Sequence, residues 1–370
     1  MPIVQPRLTG AVNLLEPAQL VQHFLAHPPL DFSAFEICAG VPAFAARFDL
    51  LTTADAGLKR RVSSLPGFSH WGRLLRPRTL FVGTTVTEYA IFPEHFRAEA
   101  FSECLMREYT RQYPFVIVKD LPQASPLLDR AQNAHALELA QALQQRGFVL
   151  IHGQALAYVS IDFADIDSYL GRLSHSRRKD IRRKLRSRAE LNIDEISTGS
   201  AQFDGDAFID QLYALYANVY QQSEIHFDQL SREFFAAVLR DADSGGVVFA
   251  YHYQGELIGF NLCFATGSML VDKYVGFAYP QARAVNLYFV SWMHNLNYAL
   301  EHGLTTYIAG WTDPEIKAYL GAQFTSTQHA VYVRSRLLRS IFRRIAGHFE
   351  SDRSVQDTIQ HARRHTSTDS

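Results

Sequence analysis

The stretch "VVFAYHYQGELIGFNLCFATGSMLVDKYVGFA", Val247 to Ala278, decides the fold of the second half of the chain. It holds three apolar runs, parted by Gln254-Gly255 and by Thr266-Gly267-Ser268. Runs this short, rich in Val, Phe and Tyr and punctuated by glycine turns, predict three strands of an antiparallel meander. On either side the apolar period lengthens to that of a helix. Before the meander, "DAFIDQLYALYANVYQQ" sets Phe208, Leu212, Leu215, Tyr216 and Val219 on one side, and "REFFAAVLRDA" reads as a shorter helix. After it, "AVNLYFVSWMHNLNYALEHG" carries a stripe of Phe289, Trp292, Met293, Leu296 and Leu300, with Gly303 to end it. "TTYIAGW" is a strand and "DPEIKAYLG" a short helix. Thr312 with Glu315 three residues on has the spacing of a capping box, and Pro314 suits a first turn. "QHAVYVRS" closes the sheet, and "RSRLLRSIFRRIAGHF" follows as a basic amphipathic helix.

Further upstream the first half also alternates. "TLFVGTTVTEYAIF" and "PFVIVKD" read as strands, with the helix "RAEAFSECLMREYTRQY" between them. "NAHALELAQALQQRG" is a helix ended by Gly147, and "FVLIHG" and "ALAYVSI" are two more strands. The class is therefore α/β. The expected organisation is a lead-in over 1–28, a first domain over 29–165, a second over 166–346 and a disordered tail over 347–370. No exact internal repeat is present, although both halves mix strands and helices in comparable order.

The 370 residues suffice for two domains, and 47% apolar content is ample for large cores. The net charge of -1 gives no global field toward nucleic acid or membranes, so any such binding needs a local patch. Cys38, Cys104 and Cys263 are odd in number and have no metal-ligand spacing. Neither a disulfide framework nor a metal site is expected, and a reducing cytoplasm fits. The N-terminal "MPIVQPRLTGAVNLLEPAQL" lacks the apolar core of a signal peptide, and no apolar run has spanning length.

One local patch exists. "HSRRKDIRRKLRSR", His175 to Arg188, carries eight Arg and Lys side chains and one acid, within a helix expected from about Tyr169 to Ala189. Leu173, Arg177, Ile181 and Leu185 fall four apart on one face. Arg177 on that apolar face must snorkel or meet an anion. A docked helix with a wet basic side and a phosphate-binding helix are both open. DNA recognition is not indicated, because no aromatic interleaving or DNA-binding motif accompanies the charge.

The order of elements, together with "YLGRLSHSRRKDIRRKLRSR", "EIHFDQLSREFF" and "YIAGWTDPEIKAYLGAQF", resembles the GNAT acyltransferase fold, and within it the FemAB-like branch. The likeness covers about 170–335. It implies two GNAT-like domains, each a mixed, mainly antiparallel sheet flanked by helices, the first diverged. It also implies an N-acyltransferase that moves an acyl group from acyl-CoA or another thioester carrier to a small-molecule or peptide amine. The donor would be a cosubstrate, and no tightly bound cofactor is implied. Two alternatives stand beside it: a Fem-type transferase using aminoacyl-tRNA, and a non-catalytic module that binds an anionic partner. A carrier protein is a further possible partner. Where many such proteins have a Gly-rich pyrophosphate loop, this chain reads "YPQARAVNLYF". Gln281, Arg283 and Asn286 stand there, and Arg177 and Arg178 are candidate helpers at the phosphates.

Acyl transfer to an amine needs a base and an acid for the leaving group. "LVDKYVGF" places Asp272 and Tyr274 on one expected face and Lys273 on the other. Asp272 is the candidate base, or else simply a strand-pairing charge, and Glu224 and His226 in the preceding loop are rivals. The acid is Tyr319 or Lys317: GNAT proteins often use a Tyr on this short helix, and the spacing to Gly321 puts Lys317 in the corresponding place. The basic helix from Arg334 to Arg344 carries Leu337, Leu338, Ile341, Phe342 and Ile345 on one side. Packing against the body is expected for it, with an anionic membrane surface as the alternative.

Overall fold

The computed structural model describes residues 11–49, 60, 64, 76–223 and 227–345. In chain order its first elements are α1 (Ala18–Ala26), β1 (Ser33–Ile37), β2 (Val41–Arg47), β3 (Arg78–Val82), α2 (Ala98–Cys104), β4 (Phe115–Pro122), α3 (Arg130–Gln145) and β5 (Val149–Ser160). Then come α4 (Ile166–Gly171), α5 (His175–Lys184), β6 (Leu191–Ser197), α6 (Asp206–Gln222), α7 (Arg232–Arg240), β7 (Gly246–Tyr253), β8 (Glu256–Thr266) and β9 (Met269–Phe277). The last are α8 (Gln281–Ala284), α9 (Leu287–Glu301), β10 (Thr306–Gly310), α10 (Pro314–Leu320), β11 (Gln323–Val333) and α11 (Arg336–Ile345). Among the described residues two compact units result, one from 11–14, 24–154 and 325–345, the other from 15–23 and 155–324.

In the first unit the strand order is β1-β2-β3-β4-β11-β5. The β3–β4 pair is parallel, and the β1–β2, β2–β3 and β4–β11 pairs are antiparallel. The alternate residues Leu80, Val82, Val116 and Val118 meet Leu139 and Leu143 of α3 in one core. A capping box between Asp129 and Gln132 starts α3. Two expectations change here. The two strands foreseen over 148–161 are one, β5, and of the "TLFVGTTVTEYAIF" segment only Thr79–Val82 pairs as a strand, as part of β3. The rest of that segment is bends, buried through hydrogen bonds such as Thr87 Oγ1 to the Tyr89 carbonyl.

The same unit contains a Cys38–Cys104 disulfide with a Cα–Cα distance of 6.3 Å, which corrects the expectation of none. The two cysteines are 66 residues apart, and only the packing of α2 beside the turn after β1 brings them together. Spacing rules cannot register such a pair.

In the second unit the order is β5-β10-β9-β8-β7-β6, and β7, β8 and β9 form the foreseen meander. One face carries α9, where Phe249, Tyr251, Cys263 and Leu270 pack with Trp292 and Leu296. The other face takes α6 and α7. At Gly276 an added Cβ would lie 2.7 Å from the backbone of α6, so only glycine lets helix and strand approach so closely. A register shift between Leu262 and Cys263 interrupts the alternation of β9. Asp272 therefore faces Asn295 of α9, while the Tyr274 ring lies against Phe234 and Phe235 of α7. These two side chains do not share the face that a strict two-residue period assigns them.

The basic helix is also broken. Asp165 caps α4 through the Ser168 N–H, α4 ends at Gly171, and α5 starts after Ser174, whose ψ of 152° is extended. A tighter turn over Leu185–Glu190 follows α5. The capping box expected at Thr312 is absent: the residue before α10 is Asp313, left-handed at φ 53°, with no side-chain cap. Pro314 does occupy the first turn.

Candidate functional site

The second sheet opens between its two parallel strands. β9 and β10 pair at only three positions, Met269–Thr306, Leu270–Tyr307 and Val271–Ile308. Beyond these, β9 stays with β8 as far as Phe277, while Gly310 of β10 pairs with Ala157 of β5 after a register shift. Asp272 and Ala309 are the first residues past the last shared pair.

Asp272 is held at that point by a polar cluster inside an apolar core. Asn261 Nδ2 lies 3.0 Å from both of its oxygens. Asn295 Nδ2 donates at 3.0 Å and the Tyr307 hydroxyl at 2.8 Å. Asn261, Asn295 and Tyr307 are all essentially buried. Burial raises the pKa of Asp272, while the hydrogen bonds from Asn261 and Tyr307 and the nearby Lys317 charge act the other way. Burial, followed by the Asp272 charge, also pushes Tyr307 and Cys263 well above their ordinary values. The two asparagines were missed from sequence. Their signal is a polar residue on a core-facing position of "ELIGFNLCFA" and of the α9 stripe.

Lys317 reaches the same place from α10. It is 4% exposed, and its Nζ donates to the Ala309 carbonyl at 2.5 Å. Its helix is short but every late carbonyl is satisfied. Ala322 N–H bonds the Lys317 carbonyl, and Arg177 donates to Ala318 at 2.7 Å and to Tyr319 at 2.9 Å. The Tyr169 hydroxyl donates to the Leu320 carbonyl at 2.5 Å. Gly321 follows at φ 103°, a left-handed conformation natural to glycine. Arg177, expected to snorkel or meet an anion, instead donates to the backbone carbonyls at the end of α10.

Tyr319 points elsewhere. Its hydroxyl donates to Asp180 at 2.8 Å, and its pKa is raised, first by burial and then by that bond. Asp180 is itself held well below the usual carboxylate range by Lys184, Arg183 and Tyr319. Of the two candidate acids, the structure puts Lys317 beside Asp272 and Tyr319 against α5.

The other candidates form two surfaces. At the α8–α9 corner, Gln281 is exposed, and Arg283 donates to Gln222 Oε1 at 2.8 Å with its guanidinium over the Tyr279 ring. Asn286 precedes α9 in a left-handed conformation, and its side chain makes no capping bond. On α5 and the turn after it, Arg178 joins His175, Lys179, Arg182, Arg183 and Arg186 around a shallow concavity. Asp167 pairs with Arg182 and Asp180 with Arg183 there. Glu224 and His226 lie outside the described residues. Lys273, the other charge of the meander, pairs with buried Glu16 at 3.3 Å.

Over residues 129–367 the chain matches the FemAB-like family, described as peptidoglycan biosynthesis/recognition. It is similar to the C-terminal DUF2156 domain of an Agrobacterium fabrum protein named as a lysylphosphatidylglycerol synthetase (TM-score 0.52, 11% identity, 88% of this chain and 89% of that one). It is also similar to L-PGS from Bacillus licheniformis (TM-score 0.52, 12% identity, 92% and 99%). At such identities the likeness is one of fold. No curated protein matches the chain in sequence. Among the described residues no helix is long and apolar enough to cross a membrane.

Proposed function

The chain belongs to the FemAB-like family, and on that premise we propose that it is a transferase that moves an activated acyl group onto an amine. The observation that carries the reading is the opening between β9 and β10, with Asp272 and Lys317 at its edge. In this reading the amine nitrogen attacks the acyl carbon, a C–N bond forms, and the bond to the carrier breaks. Asp272, whose proton affinity is raised by burial, takes the amine proton. Lys317, a buried cation, supports the negative charge on the carbonyl oxygen and protonates the leaving group. Tyr319 has no part in the chemistry.

The donor's phosphates would lie against the α8–α9 corner, where Arg283, Gln281 and the α9 N-terminus face outward, with Arg178 of α5 as a further contact. Acyl-CoA, an acyl-carrier thioester and aminoacyl-tRNA all offer such phosphates. Thermal unfolding with acetyl-CoA, longer acyl-CoAs and charged tRNA tests the reading and separates the donors. A donor at a hundred times its dissociation constant adds about 2.7 kcal/mol, which raises the midpoint by about 5 °C in a chain of this size. A rise with one donor class, with acyl transfer to an amine, supports the proposal. No rise and no transfer with any of them overturns it.

A second reading has one observation in its favour. Both oxygens of Asp272 are engaged and Lys317 is bonded to Ala309, so the two charged groups are held without a substrate, although the Asn261 and Asn295 side-chain oxygens have no partner among the described residues. A non-catalytic, anion-binding module on this fold would look the same. Reversing Arg178 and Arg182 to Glu would then abolish partner binding in a protein that transfers nothing.

A further inference from the structure

The helix α11 belongs to the first unit and takes no part in the proposed site. Its sequence, "RLLRSIFRRI", holds four arginines and no acid. The expected packing of its leucines against the body is not what the structure shows. Leu337 is 72% exposed and Leu338 52% exposed, two of the four large hydrophobic side chains that stand out on the surface of the described residues. The helix is nonetheless anchored at its base. Arg339 donates to the Val333 carbonyl at 2.7 Å and lies over the Tyr332 ring at 4.1 Å. Arg334 donates to the Arg111 carbonyl at 2.9 Å. Two arginines are therefore spent on the fold, while Arg336, Arg343 and Arg344 are exposed beside the two leucines.

We propose that α11 is a docking element for an anionic phospholipid surface, lying in the interface plane with Leu337 and Leu338 inserted and Arg336, Arg343 and Arg344 at the headgroups. Exposed adjacent leucines cost nothing only where something apolar receives them. An acid-free ring of arginines around them selects a negatively charged surface over a neutral one. A helix of ten residues is about 15 Å long, which suits lying on a bilayer and is far too short to cross one. The inference stands apart from the transfer reaction, since none of these residues belongs to that site.

Co-sedimentation with phosphatidylcholine vesicles, with and without phosphatidylglycerol, tests it on the full chain. The protein should pellet with the mixed vesicles and stay in solution with phosphatidylcholine alone. Arg336→Gln and Arg344→Gln should each lower the partition coefficient about five-fold at low salt. Leu337→Ser with Leu338→Ser should lower it by at least an order of magnitude. Both leucines are exposed, so the thermal midpoint of that variant should match the parent, which separates lost docking from lost folding. Equal binding to both vesicle types, no binding to either, or binding indifferent to the leucines would overturn the proposal. So would a dimer in solution that the leucine variant dissolves, because the face would then be a contact between copies of the chain.

Discussion

Arg177 of α5 closes the end of α10 by donating its Nε–H to the carbonyl oxygen of Tyr319 at 2.9 Å. The same guanidinium reaches Ala318, so one side chain fixes the turn that follows Lys317. Charged hydrogen bonds of this kind are worth about 1.5–3 kcal/mol each. Arg177→Met keeps the aliphatic stem and should cost roughly 2–4 kcal/mol by denaturant unfolding, counting the carbonyls left open. Arg177→Lys should recover less than half of it, because an ammonium cannot serve two carbonyls in one plane.

Lys317 and Tyr319 make opposite predictions. Lys317→Met should lower the acyl-transfer rate by about 10²-fold or more, the usual cost of losing an acid or a charge at the reacting centre. Tyr319→Phe loses only the bond to Asp180 and should leave the rate within about three-fold. Single-turnover rates with the donor found by thermal unfolding check both. The reverse ranking would move the chemistry to Tyr319.

Asp272→Asn removes the proposed base, yet it is not a neutral replacement for the fold. Its amide must turn one N–H₂ toward Asn261, Asn295 or Tyr307, all of which donate to the present carboxylate. A stability loss of about 1–3 kcal/mol should accompany the loss of turnover. The pH dependence has a definite sign. The folded pKa is raised above the ordinary carboxylate value, so the folded state holds the proton more tightly. The contribution of Asp272 to stability is complete below the unfolded value and is lost as pH rises through the folded one. The parent's advantage over the Asn variant should be largest below the unfolded value and shrink as pH rises through that window, measured by unfolding at a series of pH values.

His294 of α9 gives the opposite slope. Burial against Phe249 and Tyr251, then the Arg188 charge, lower its pKa from 6.5 to about 4. Glu195 lies 3.7 Å away, half-exposed and beyond hydrogen-bond reach, too weakly placed to reverse this. The neutral ring contributes stability above pH 6.5, which is lost as pH falls to about 4 and amounts to about 3 kcal/mol. His294→Gln should flatten the unfolding free energy across that window while leaving the alkaline side unchanged.

What the sequence makes legible follows from how local each signal is. The meander, α6, α7 and α9 are set by apolar period and glycine turns, which are local, and they lie where those signals put them. The distance from Gly321, again a local measure, made both Lys317 and Tyr319 candidates and did not decide between them. The bulge beside Cys263 is not local, since it depends on how β8 and β9 register, and it separates Asp272 from Tyr274. Asn261 and Asn295 are 34 positions apart by number and meet only because α9 crosses β8 and β9. Arg177 was expected to snorkel or meet an anion, and no rule of charge pattern names a helix carbonyl 142 residues away as its partner. The capping box at Thr312 failed because Asp313 adopts a left-handed conformation, which moves the helix start by one residue.

The Cys38–Cys104 bond closes a covalent ring around everything between those positions. A protease that cuts once inside that ring releases no fragment: the two pieces stay joined through sulfur. On a denaturing gel the nicked protein runs as one species until a reductant is added, then as two. The peptide chain of this region can thus be interrupted while the molecule remains a single covalent object.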